Sequence, residues 1–594
     1  MRMAMSLNQL SMPWIVGMAV CLGNTEAILA QQEGAGWTEL QMNNEEWQFV
    51  EGAWAEDEQG IITAPGNLGD ENLAFYTGRA YADFEAEWEF RWDIVWTGAG
   101  LVFRAPDARH YYMVHFPVVG QHYRAEHFWA CISKVDETGF VEVLNMEMVH
   151  GVSSTLTLWH KVRLAVAGNE IRVWVDGRPL RVVRDDTYTE PGHVGLATYS
   201  LLGEGAKSSF RNLRIRGQEA QAPAWDSAVR PVRNWRRHCG GGSPGSNIVR
   251  APNGDILVET SAGMMRSTDN GSTWGDPERL PLGKEGGFGV GGDMLHTTGE
   301  GLLTIQTLAC TDFVVSHYTD EQEQQRIRDV LSRGEPPFQI MRSTSTDNGR
   351  TWSESVQSGE IIFPPDKPIR MLYPSTLLRL KDGALLFFMW GRPAYTGQTV
   401  EGRRYFDIPP PGFINICVRS TDDGQSWSEP AFLDGPPYDV NPINSKDQRT
   451  EVGAAQTREG KIITLSRPED SPWMWESWSE DGGRTWTPAA RGPFPMYACN
   501  RAMVTTTSGA IITSGRFPGL AAQVSYDDGM TWKCYRTDTA LYANGCMYEV
   551  EPDVVLHVYG GKNYGEEPGD ETRYQLLRIT PDGVEPAREL MPSQ

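Results

Sequence analysis

The chain has 594 residues, too many for one ordinary domain. Its 77 acidic and 53 basic residues leave a formal net charge of −24, which argues against nucleic acid or an anionic membrane surface as a partner. Eight cysteines are spread along the sequence with no metal-ligand spacing, so buried free thiols are expected, with no metal site and no cofactor.

Residues 1–30 read as a secretory signal peptide. An apolar stretch from Ile15 to Leu22 precedes the small residue Ala30, with Arg2 as the basic residue ahead of it. A secreted, periplasmic or extracellular protein is therefore expected. Cys21 lacks the small residue before it that a lipoprotein signal needs. No later stretch approaches the length of a transmembrane helix.

Residues 37–217 alternate with period two, as in Phe84-Glu-Ala-Glu-Trp-Glu-Phe-Arg-Trp, Tyr111-Tyr-Met-Val-His-Phe and Ile171-Arg-Val-Trp-Val-Asp-Gly-Arg. Such strands bury one face, and turn signals between them predict a β-sandwich. Trp129, Tyr111 and Tyr112 are candidate exposed aromatics for stacking on sugars. Residues 218–234 follow as a linker, with a Pro/Ala-containing run from Ala220 to Pro231.

Residues 235–594 carry five copies of Ser-x-Asp-x-Gly-x-x-Trp, with their aspartates at Asp269, Asp347, Asp422, Asp481 and Asp527. Each copy reads as a turn between two strands. The Asp side chain accepts from backbone amides two residues on, Gly supplies a positive φ, and Trp packs between neighbouring sheets. The shortest Asp-to-Asp step, 46 residues, is the length of one four-stranded propeller blade. A second repeat is a short apolar strand opened by a turn: Gly254-Asp-Ile-Leu-Val, Gly301-Leu-Leu-Thr-Ile, Gly383-Ala-Leu-Leu-Phe, Gly460-Lys-Ile-Ile-Thr, Gly509-Ala-Ile-Ile-Thr and Pro552-Asp-Val-Val-Leu. Read as inner strands buried on both faces, these six predict an all-β fold in which a six-bladed β-propeller follows the sandwich. A surface helix is expected from Thr319 to Gly334, and a long loop from Arg392 to Pro411.

The five Asp patterns on a count of six blades resemble the sialidase (neuraminidase) superfamily over roughly residues 235–590. Asn169-Glu-Ile-Arg-Val-Trp-Val-Asp-Gly-Arg-Pro-Leu, followed by Gly195-Leu-Ala-Thr-Tyr, is similar to laminin-G/concanavalin-like jelly-roll domains. The first resemblance implies a hydrolase for terminal acidic sugars such as sialic acid. Three arginines clamp the substrate carboxylate, because a guanidinium fork matches it bidentately. A carboxylate nucleophile would be repelled by that group, so a Tyr attacks with help from a Glu, and an Asp serves as acid/base.

Carried onto this sequence, the resemblance selects Glu451 as the helping carboxylate and Arg467 as one clamp residue, at matching offsets from Gly460. Arg516, or its competitor Arg501, is the next clamp residue. The nucleophile falls at Tyr542 or Tyr548, and the register does not choose between them. Two positions depart from the family pattern. Pro244 falls where the first Arg belongs, leaving Arg236, Arg237 and His238 as substitutes. The acid/base loop is too short and contains Glu259, leaving Asp293 or Asp312 as alternatives. The reading is thus a secreted sialidase-like glycoside hydrolase with a glycan as substrate. Beside it stand a propeller that binds glycans without cutting them and a glycosidase with two carboxylates.

Overall fold

The computed structural model describes residues 36–42, 45–65, 71–118, 127–200, 207–232, 237–239, 244–260, 263–278, 294–309, 338–362, 369–393, 414–433, 449–468, 473–495, 502–538, 545–560 and 572–590. They form strands throughout. Among the described residues the helical content is one short 3-10 turn, Arg588–Leu590. The helix expected from 319 to 334 lies outside the described residues, as does nearly all of the loop expected from 392 to 411. Two compact units result, one formed essentially by residues up to Pro231 and the other by Val232 onward.

In the N-terminal unit the long strand Glu71–Trp92 pairs with His160–Ala167, Gly192–Ser200 and Lys207–Ala220. The alternation read from the sequence sorts its two faces. Phe84, Ala86, Trp88, Phe90 and Trp92 enter one apolar core. Glu85, Glu87 and Glu89 point the other way and pair with Arg163, Arg214 and Arg211. The expectation for Trp129, Tyr111 and Tyr112 is corrected. All three are 1 % exposed or less, so none offers a ring face to a sugar. Tyr112 faces the core, with its hydroxyl on the Asp185 carboxylate.

The C-terminal unit is a β-propeller arrangement of antiparallel meanders. Four-stranded sheets span 294–361, 369–432 and 449–495, and a three-stranded one spans 244–267. In the 545–586 sheet three strands pair in sequence, and two short segments flank the third. Residues 503–538 form a further four-strand meander. The first strands adjoin one another: Pro244–Arg250 lies against Met294–Thr297 and Gly545–Glu551, and Arg449–Gln456 lies against Ile369–Arg379 and Met503–Thr505. The Gly-led apolar runs are therefore second strands, not the innermost ones. They are the most apolar because each is covered by a sheet on both faces, while the first strands turn part of their surface to the central space.

Every Asp pattern follows a third strand and serves folding; four of the five join it to a fourth strand, and the Asp269 copy leads to a single bridge between Met264 and Glu278. In the 338–361 copy, Asp347 Oδ1 accepts from the Thr351 amide at 2.8 Å, and Thr351 Oγ1 donates to Oδ2 at 2.5 Å. Ser345 Oγ accepts from the Gly349 amide at 2.8 Å. The carboxylate thus reaches the amide four residues on, where the sequence suggested the amides two residues on. The residue before each Gly is also left-handed, with φ between +56° and +72° at Asn270, Asn348, Asp423, Gly482 and Asp528. Gly itself is needed for space as well as for φ: a Cβ at Gly483 would lie 2.7 Å from Leu386 of the preceding sheet, and one at Gly271 2.9 Å from Leu556. Each pattern Trp packs between sheets, as Trp352 does on Leu257, Met264, Leu295 and Leu302.

Candidate functional site

An antiparallel meander puts the start of its first strand, the end of its second, the start of its third and the end of its fourth at one edge. The Asp turns lie at the opposite edge. The polar residues of the C-terminal unit divide accordingly between two ends.

Glu451 stands near the start of the first strand Arg449–Gln456, and Arg467 near the end of the second strand Ile462–Pro468. The pairing slips between Thr450 and Val452, a bulge that sets Arg467 opposite Thr450 and takes Glu451 out of the register. Glu451 has φ +46° there, a strained conformation for a residue with a side chain, which costs on the order of 1–3 kcal/mol. Across the bulge the carboxylate still meets the arginine: Arg467 Nη1 donates to Glu451 Oε2 at 3.1 Å. The Glu451 side chain is 9 % exposed and that of Arg467 19 %. Ser375 and Thr376 hold the bulge by donating to the Val452 carbonyl at 2.9 and 2.7 Å. Asn415 Nδ2 donates to Ser466 Oγ at 2.9 Å, fixing the strand that carries Arg467.

The same end carries Arg516, one residue beyond the second strand Ile511–Gly515. It also carries groups that the sequence did not single out. Asp538 closes the fourth strand Lys533–Asp538, Tyr559 sits at the end of the second strand Val554–Gly560, and Arg573 at the start of the third strand Thr572–Ile579. The buried Tyr559 hydroxyl donates to Asp538 Oδ2 at 2.8 Å, and Arg573 Nη1 stands 3.9 Å from that oxygen. Burial lowers the Arg536 guanidinium to about 9, opposed by the Asp538 charge. No motif spans these residues; only the strand order makes them neighbours. Tyr373 and Trp390, opposite each other across two strands, stack with centroids 4.2 Å apart and planes at 15°. Tyr373 lies two residues before Ser375, whose hydroxyl holds Val452, so this half-buried aromatic pair flanks the Glu451 strand.

Tyr548 goes elsewhere. It sits midway along Gly545–Glu551, its ring packs on the cluster of Ile248, Cys546 and Val550, and it lines the opposite end with Arg250 and Glu549. Burial raises its phenol against the lowering effect of Arg250. Arg237 lies on the short strand Arg237–His238, which pairs with Tyr574 and Arg573 on the outer side of the 545–586 sheet. Tyr542, Asp293, Arg501, Arg236 and Asp312 lie outside the described residues. Of the residues named from the sequence, the structure brings Glu451 and Arg467 into contact and places Arg516 at their end.

Comparison with known proteins follows the division into units. Residues 34–216 match the 3-keto-alpha-glucoside-1,2-lyase-like domain, and residues 328–548 the BNR repeat-like domain. A sialidase from Bacteroides fragilis is 24 % identical over 298 residues, 47 % of this chain and 49 % of its own length. A sialidase from Paraclostridium sordellii is 27 % identical over 212 residues, 33 % of this chain and 50 % of its own. The chain thus spans about half the length of the curated relatives it matches. Among solved structures, the NanB sialidase of Streptococcus pneumoniae aligns with a TM-score of 0.39 and 12 % identity over 84 % of this chain and 95 % of its own.

Proposed function

We propose that this chain is a secreted sialidase-like glycoside hydrolase acting on terminal acidic sugars of glycans. The observation that carries the reading is the Glu451–Arg467 pair, held at a strained bulge at the end away from the Asp turns. Strain of this kind persists where surrounding structure over-determines it, and it concentrates at functional sites. The similarity to two sialidases supports the substrate class.

In this mechanism Arg467 and Arg516 orient the substrate carboxylate. Glu451 takes the phenolic proton of Tyr542, which precedes the strand Gly545–Glu551 in the sequence, as that oxygen attacks the anomeric carbon. Asp293 protonates the leaving oxygen. Tyr548 is dropped from the role, because its ring serves the apolar packing at the other end. The stacked Tyr373–Trp390 pair supplies an apolar wall beside the site.

The architecture proposed with this function is six-bladed. It is supported by the 503–538 meander, which repeats the register of the other sheets, and by Gly271 packing on Leu556, which joins the first sheet to the last. The N-terminal unit is proposed as a jelly-roll module from 37 to 217 preceded by a signal peptide. Its match to a sugar-active domain favours a second reading, in which this unit recognises the glycan and the propeller presents it.

Calorimetric titration with sialic acid tests the proposal. Saturable binding that Arg467→Ala weakens at least roughly tenfold is expected, the cost of about one charge-assisted contact. Absence of binding, or binding indifferent to Arg467, would sink it.

A further inference from the structure

The end that carries the Asp turns has an opening of its own. A cavity of about 620 Å³ lies there among the ends of the first strands. That volume is in the range of roughly 300–1,000 Å³ typical of small-molecule sites. Four cations line it, Arg250, Arg379, Lys381 and Arg458, against one lining carboxylate, Glu549. This sign is opposite to that of the chain as a whole, whose net charge is −24.

The internal contacts do not cancel that excess. Arg379 is neutralised by Asp423, 2.7 Å from its Nη2. Arg250 donates to neutral acceptors: the Gly254 carbonyl at 3.1 Å, Asn270 Oδ1 at 2.9 Å and the Val550 carbonyl at 2.6 Å. Lys381 Nζ donates to the Thr457 and Arg458 carbonyls at 3.1 and 3.0 Å. The exposed guanidinium of Arg458 has no hydrogen-bond or ion-pair partner among the described residues. It lies over Gly509, where a Cβ would come within 2.5 Å of its Nε. Glu549 is satisfied by neutral donors, the amides of Thr507 and Asp553 and the Thr507 hydroxyl, at 2.6, 2.8 and 3.1 Å. Arg250, Lys381 and Arg458 thus face a single remaining carboxylate, Glu549, and leave a net positive charge around a concave wall, where the field is focused.

We propose that this cavity is a second ligand site, distinct from the Glu451 end, that binds an oxyanion of monosaccharide size carrying a carboxylate or a sulfate ester. A guanidinium fork and an ammonium facing the same space match either group. The proposal does not rest on the hydrolase reading. Titration calorimetry on the full chain tests it, with glucuronic acid, glucose 6-sulfate and neutral glucose as probes. Saturable binding of one or both anions, and none of glucose, is expected; which anion binds identifies the group. Arg458→Ala removes an exposed guanidinium that has no hydrogen-bond or ion-pair partner among the described residues, so the fold should stay intact. Together with Lys381→Ala it should weaken binding roughly tenfold or more, whereas Arg467→Ala, at the other end, should leave binding in place. No saturable binding of either anion, equal binding of glucose, or a loss caused by Arg467→Ala and not by Arg458→Ala would overturn the assignment.

Discussion

Glu451 keeps its ion-pair partner across a backbone irregularity. Unbroken pairing would set it directly opposite Arg467; the bulge brings Thr450 opposite Arg467, and the two charged side chains still meet at 3.1 Å. Replacing Arg467 by Ala leaves a largely buried carboxylate without its ion-pair partner, which costs about 3 kcal/mol in stability by analogy with other buried pairs. Urea denaturation of Arg467→Ala beside the double variant Glu451→Gln/Arg467→Ala checks this. The double variant should recover part of the loss, and equal midpoints for the two would contradict a coupled pair. Thiol chemistry is a second test at this scale. Burial raises Cys534 to about 12 and pushes Cys417 and Cys546 up further. These three should resist alkylation at pH 8 until the protein unfolds, as mass spectrometry would show.

The elements explain what was legible in the sequence. The Asp turns were legible because every part of the device is local: Ser, Asp and Gly bond within four residues, and even the left-handed residue before Gly is Asn, Asp or Gly in all five copies. The Glu451–Arg467 pair was legible through its offset from Gly460, since a hairpin fixes which residues meet. The Asp538–Tyr559–Arg573 group was not, because its members come from strands of two sheets with no shared spacing. The apolar runs were legible as strands buried on both faces, but hydrophobicity does not report distance from the axis, so their place as second strands comes from the pairing. Gly483→Ala should destabilise by about 2 kcal/mol or more, since it combines φ +85° with a 2.7 Å clash on Leu386. The neighbouring exposed position Arg484→Ala should change little, and a thermal melt in which the two variants match would contradict the packing account.

For the whole molecule, charge and burial set the response to acid. His296 is lowered to about 4 by burial, aided by Arg379, and His115 and His557 to about 3 by burial. Each stays neutral in the fold while the unfolded chain takes up a proton near pH 6.5, so stability is full above that pH and falls as pH drops towards 4 and 3. The Asp turns add a second step. Hydrogen bonds from the Thr351 hydroxyl and amide lower Asp347 from 3.8 to about 2, so its contribution is present above pH 4 and is lost as pH falls through that interval. Melting temperature should therefore decline from pH 7 to 4 and fall further below 4, and Asp347→Asn should shrink the second decline. A profile flat from pH 7 to 4 would contradict the histidine assignment.

The proposed function makes one central chemical claim, that Glu451 and Arg467 belong to a glycosidase active centre. The most direct measurement is hydrolysis of a fluorogenic sialoside by the full chain beside Glu451→Gln. The account predicts release by the parent protein and a fall of roughly 10²–10⁴-fold in kcat for the variant, the usual contribution of a positioned proton acceptor. No release by the parent protein, or an undiminished rate for Glu451→Gln, would contradict it.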